Sequence, residues 1–116
     1  MTPGVLFIIT SDPRTSSRPA EAIRIAAGVG AWRKVAVTVY LHDTAVLAVG
    51  EFPDALEDGD NFRRYLPLVQ ESGGLICAQR GAALLHDLGP RAVSFHETGD
   101  DELAALVTKN DYVVRF

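Results

Sequence analysis

The sequence predicts a single α/β domain built on a small parallel sheet, and three observations carry that expectation. Short continuous apolar runs, rich in β-branched and aromatic residues, alternate along the chain with stretches whose apolar residues recur at helical spacing. Continuous runs of this kind suit strands covered on both faces, as in parallel sheets. The 116 residues also fall near the usual size of one domain and can bury a core without staples, so residues 1–116 are read as one unit.

Taken in order, Gly4 to Thr10 (GVLFIIT) is the first strand run. After the polar loop Ser11 to Ser16, Ser17 is positioned to cap a helix that tolerates Pro19 in its first turn. Ala22, Ile23, Ala26, Ala27 and Val29 share a face of that helix, and Gly28 or Gly30 is the expected stop. Lys34 to Leu41 (KVAVTVYL) supplies a second buried strand, and strand, helix, strand in succession implies a right-handed parallel crossover.

From His42 to Gly50 and through the turn-rich Pro53 to Asp60, the chain reads as an excursion at the sheet's edge. Asp60 or Asn61 then caps a helix through Phe62, Tyr65, Leu66, Leu68 and Val69 to Glu71, with Pro67 kinking it or delaying its start. Gly73-Gly74 breaks the chain before the short strand Leu75-Ile76-Cys77. Ala78 to Leu88 has the composition of a further helix closed by Gly89-Pro90, which sets Cys77 at a strand-to-helix turn. Ala92 to His96 is the fourth strand run, Gly99 to Glu102 opens a helix with the apolar stripe Leu103, Leu106 and Val107, and Tyr112 to Phe116 is the last strand. About five mostly parallel strands alternating with four helices give a flavodoxin-like three-layer sandwich with helices on both faces, whose strand order the sequence does not set.

Composition narrows the function classes. Hydrophobic residues make up 47% and charged residues 22%, which fits a globular chain. The net charge is −4 and Arg63-Arg64 is the only adjacent arginine pair, so no basic stripe exists to track nucleic-acid phosphates. No apolar stretch approaches the roughly 20 residues that span a bilayer, and no membrane partner is expected. The one cysteine cannot form an intramolecular disulfide, and Met1 leads into a strand-like run without signal-peptide character, which together predict a cytoplasmic protein.

In an open parallel sheet, ligands bind beyond the carboxyl ends of the strands. Those ends carry Thr10-Ser11-Asp12, His42-Asp43-Thr44, Cys77-Ala78-Gln79 and His96-Glu97-Thr98. Cys77 is the sharpest candidate, because a thiol at a helix N-terminus feels the positive end of the dipole and is drawn toward the thiolate. Arg80, one turn on, would add to that stabilisation, and His42 would accept or orient a proton. The bland alternative is a packed thiol, since free cysteine is among the most buried residue types. Thr10, Ser11, Asp43, Gln79 and His96 are the candidate ligand-binding residues along the same edge. No recognised ligand spacing points to a metal, and neither GxGxxG nor GxxxxGK[ST] occurs, so a nucleotide fingerprint is absent.

Three segments carry a family resemblance: PAEAIRIAAGVG followed by VAVTVYLHDTAVLAV, GGLICAQRGAALLHDLG, and the terminal DYVVRF. In order and spacing the chain resembles the DsrE/DsrF-like family, which includes the TusD-type sulfur-relay subunits. The resemblance implies a small α/β protein that assembles with copies of itself into trimers or hexamers and needs no cofactor. It also implies a sulfurtransferase or sulfur-relay role, with a persulfide on Cys77 received from a donor protein and passed to an acceptor protein. The competing expectation is a non-catalytic oligomeric binding module that holds a small anion or metabolite at the strand ends, with Cys77 merely lining the pocket.

Overall fold

The computed structural model describes residues 2–51 and 53–116. The apolar runs form strands β1 (Gly4–Ile9), β2 (Ala36–Leu41), β3 (Leu75–Gln79), β4 (His96–Thr98) and β5 (Tyr112–Arg115). The periodic stretches form helices α1 (Arg18–Ala31), α2 (Asp60–Glu71) and α3 (Asp100–Lys109). All four strand pairings are parallel and the order is β4-β3-β2-β1-β5. The chain steps outward from β1 through β4 and then returns to pair β5 with the free side of β1, so connections reverse direction at β1.

Strand alternation divides the sheet into two unequal faces. Phe7, Ile9, Val37, Val39, Leu41, Ile76 and Ala78 pack with Ala22, Ile23 and Ala26 of α1 and with Phe62, Leu66 and Val69 of α2, all buried. On the other face Leu6, Ile8, Tyr40 and Cys77 lie beneath Leu103 and Leu106 of α3, and none of the α3 residues is itself buried. One helix cannot roof five strands, so Leu75 is 57% exposed and Val113 40% exposed. Both share the α3 face, because Leu75 is in register with Thr38 and Val113 with Leu6.

Several expectations need correction. Gly28 and Gly30 do not stop α1. Gly30 lets the helix approach Ser72, whose Oγ would lie 2.7 Å from an added Cβ, and the chain leaves the helix through Arg33 in the left-handed region at φ 60°. The first side chain to meet the backbone at the start of α1 is Ser16, whose Oγ accepts from Arg18 N at 3.1 Å, rather than Ser17. Residues 43–49 are a 3-10 helix whose Ala45, Val46, Ala48 and Val49 are buried, and β2 is an interior strand, so this segment completes the core instead of leaving the sheet at its side edge.

The helix expected over residues 78–88 does not form. Pairing of Ala78 with Leu41 and of Gln79 with Thr98 carries β3 two residues further, Gly81 turns the chain at φ 80°, and only a 3-10 turn at Ala83–Asp87 follows. The fourth strand forms later than expected, at His96–Thr98, where it pairs with β3. Among the described residues no helix is long and apolar enough to cross a membrane.

Candidate functional site

Cys77 lies within β3, between neighbours on both sides: Tyr40 of β2 and His96 of β4 are its register partners. Side chains at one register level of a parallel sheet project to the same face, so the thiol, the phenol and the imidazole share the face roofed by α3. There the thinly covered sheet and the α3 side chains enclose a cavity of about 520 Å³ lined by Leu75, Cys77, His96, Glu102, Leu106 and Lys109, with Thr98 and Ala105. Cys77 is 4% exposed and forms part of the floor; Leu75 and Leu106 make the walls largely apolar.

Glu102 organises the rim. Its Oε2 lies 2.7 Å from His96 Nε2, and its Oε1 accepts from Arg80 Nη2 at 2.9 Å and from the backbone N–H of Gly99 at 3.3 Å. The Gly99 contact closes the first turn of α3, so the residue that starts the helix also anchors the charged cluster. The His96 hydrogen bond, helped by the Gly99 amide and the Arg80 charge, holds the Glu102 carboxyl below its ordinary value of 4.5. Arg80 Nη2 also donates to the Glu97 carbonyl at 3.2 Å, and the Thr98 hydroxyl to the His96 carbonyl at 3.2 Å.

Burial pushes the Cys77 thiol above its ordinary value, a hydrogen bond with Thr98 pulls the other way, and the Glu102 charge adds to the upward push. Tyr40 is fully buried beside it, and its hydroxyl has no hydrogen-bond partner among the described residues. Burial, with the charges of Asp100 and Cys77, raises that phenol too.

The sequence-derived candidates separate into three groups. Cys77 and His96 come together in the cavity. Arg80 is beside it but committed to Glu102 and Glu97, not to the thiol, and with no helix starting at residue 78 the dipole invoked for Cys77 is absent. His42 sits past the end of β2 with its ring 6.3 Å from that of Tyr40 and does not line the cavity. Thr10 and Ser11 both donate backbone N–H groups to the Phe116 carbonyl, at 2.9 and 3.3 Å, and the Gln79 Oε1 accepts from Asp43 N at 2.7 Å, so these four are engaged with the backbone at the strand ends. Glu102 and Tyr40 were missed by sequence reasoning, which placed Thr98 at a strand end without choosing it. The Gly99-x-x-Glu102 spacing was the available signal for Glu102, because a glutamate three residues past a helix start reaches back to the backbone and stays near it. Among the described residues no three His, Cys, Asp or Glu side chains are grouped to hold a metal ion.

The chain matches no protein-family model and no curated protein. Among solved structures it is similar to the ychN protein from E. coli, with a TM-score of 0.81, 17% sequence identity, and all of both chains covered. At that identity the likeness speaks for the fold alone, a five-stranded all-parallel α/β arrangement.

Proposed function

We propose that this chain is a sulfur carrier that holds a persulfide on Cys77 and passes its outer sulfur to a partner's thiol. The observation that carries the reading is the seating of the chain's only thiol in the floor of a cavity, level with a histidine bound to a carboxylate. A persulfide adds one S–S bond of about 2.05 Å, enough to move the reactive sulfur from the buried Sγ position into the cavity. Burial meanwhile keeps the resting thiol protonated and protected from stray oxidation, which follows thiolate character and exposure. The Tyr40 hydroxyl, buried beside Cys77 with no hydrogen-bond partner among the described residues, supports the reading, since a buried donor calls for a partner and a sulfur anion accepts hydrogen bonds.

The fold likeness to ychN is consistent with the DsrE-like resemblance. A free thiol fits a reducing, cytoplasmic setting. The exposed Leu75, Val107 and Val113 support self-association into the trimer or hexamer the resemblance implies, and donor and acceptor proteins belong to the same reading.

Incubation with a cysteine desulfurase and cysteine is expected to add about 32 Da, one sulfur atom, to Cys77 and nothing to Cys77→Ser. An unmodified Cys77 under conditions that load a known carrier would sink the reading. Lys109 in the lining also favours a second one, in which the cavity binds a small metabolite anion and Cys77 only packs. In that case Cys77→Ser keeps its ligand-induced rise in melting temperature.

A further inference from the structure

We infer that His96, oriented by Glu102, is the proton-transfer residue for chemistry at Cys77. The inference deepens the sulfur-carrier reading and relies on it only for the identity of the substrate. His96 and Cys77 are register partners on adjacent parallel strands and line one cavity. The Nε2 of His96 faces the Glu102 carboxylate at 2.7 Å, which fixes the proton on that nitrogen and leaves Nδ1 with its lone pair. A nucleophile, a base and a carboxylate orienting the base make up the working logic of a triad.

Other candidates for the role are spent elsewhere. His42 stands outside the cavity, and Arg80 already bonds Glu102 and Glu97. The groups acting around the pair are Cys77 and Arg80 from the β3 segment, Glu97 beside His96 on β4, Glu102 and Lys109 from α3, and Tyr40 from β2 with Asp100 near it. A protonated, buried thiol needs a base before it can attack, and the carboxylate behind the ring stabilises the imidazolium that results.

The step balances without an oxidant or reductant. His96 Nδ1 takes the Cys77 proton, and the thiolate attacks the outer sulfur of a donor persulfide, RS–SH. The new Cys77 S–S bond forms as the donor S–S bond breaks, and the imidazolium returns its proton to the departing RS⁻, giving Cys77–S–SH and RSH. Transfer onward to an acceptor thiol is the same exchange with the roles of the two sulfurs reversed.

Alkylation of Cys77 by iodoacetamide, a neutral reagent, followed by mass spectrometry across pH tests the inference without a sulfur donor. Wild type is expected to show an inflection besides the one from the thiol itself. His96→Gln should lose it and react about a hundredfold more slowly at pH 7, the low end of general-base contributions. Glu102→Gln, which keeps a hydrogen-bond acceptor but not the charge, should fall between. Both side chains are largely solvent-exposed, so the variants should retain the wild-type circular dichroism spectrum. Three superimposable profiles, or a wild-type thiol inert at neutral pH, would overturn the inference. Persulfide loading of the same proteins is read separately: wild type that alkylates with the histidine inflection but never gains sulfur retains the base and loses the carrier reading.

Discussion

The α1–α2 side of the sheet and its α3 side are made by alternate residues of the same strands, yet they are held in different ways. On the first, two helices and a 3-10 segment seal a continuous apolar core. On the second, one helix with no buried residue leaves a cavity, a buried phenol and a charged rim. Polar groups in the interior cost free energy unless they are satisfied, and the Tyr40 hydroxyl beside Cys77 has no hydrogen-bond partner among the described residues. The difference gives stability to one face and leaves the other as the place of the proposed chemistry.

The sharpest way to break that division is to empty a side chain on each face. Phe62 is 2% exposed within α2 and packs into the larger core, so Phe62→Ala should lower the stability measured by urea unfolding by about 3–5 kcal/mol, the usual cost of a large cavity. A loss below about 1 kcal/mol would mean that this side can collapse around the void and is not the tightly packed half.

On the other face, Leu106 is only half-buried over Leu6 and Ile8 and forms one wall of the cavity. Leu106→Ala is expected to cost about 1 kcal/mol, since roughly half of a leucine's burial is forfeited and the space opens into an existing cavity. It should also speed alkylation of Cys77, which Phe62→Ala should not do. Equal unfolding costs for the two variants would erase the distinction between the faces.

The stable face was the more legible from sequence. Continuous runs such as GVLFIIT and the i, i+3, i+4 pattern of Ala22, Ile23 and Ala26 answer directly to burial, and β1, β2 and all three α-helices lie where those patterns put them, to within a few residues. The active face was harder to read because its residues are joined by register, not by spacing. Nothing local in LICAQR says that Cys77 will lie beside an imidazole 19 positions later in the chain, and that neighbour depends on pairing between β3 and β4. The helix expected after Cys77 failed for a related reason: the alanine-rich composition of residues 78–88 favours helix, but ladder bonds on both sides of β3 and the left-handed Gly81 prevail over propensity. With that helix gone, the proposed activation of the thiol comes from a neighbouring base and not from a dipole.

The smallest expected effect tests whether the rim contributes to folding at all, and its sign follows from Glu102. Its carboxyl is held below the ordinary value of 4.5 by His96, Gly99 and Arg80, so the folded state binds this proton less readily than the unfolded chain. The stabilisation is therefore fully present above about pH 4.5 and is lost as pH falls through the lowered folded value. Comparing urea midpoints of wild type and Glu102→Gln at a series of pH values should show a small gap at pH 7 that closes as pH falls through the lowered folded value, below which the carboxyl is neutral in both states. Because the cluster is solvent-exposed, the gap should also shrink as salt is raised. A gap that persists unchanged at low pH would mean that Glu102 stabilises α3 through shape and hydrogen bonding alone, which would leave the carboxylate's charge free to serve His96 and would sharpen the separation of the two faces.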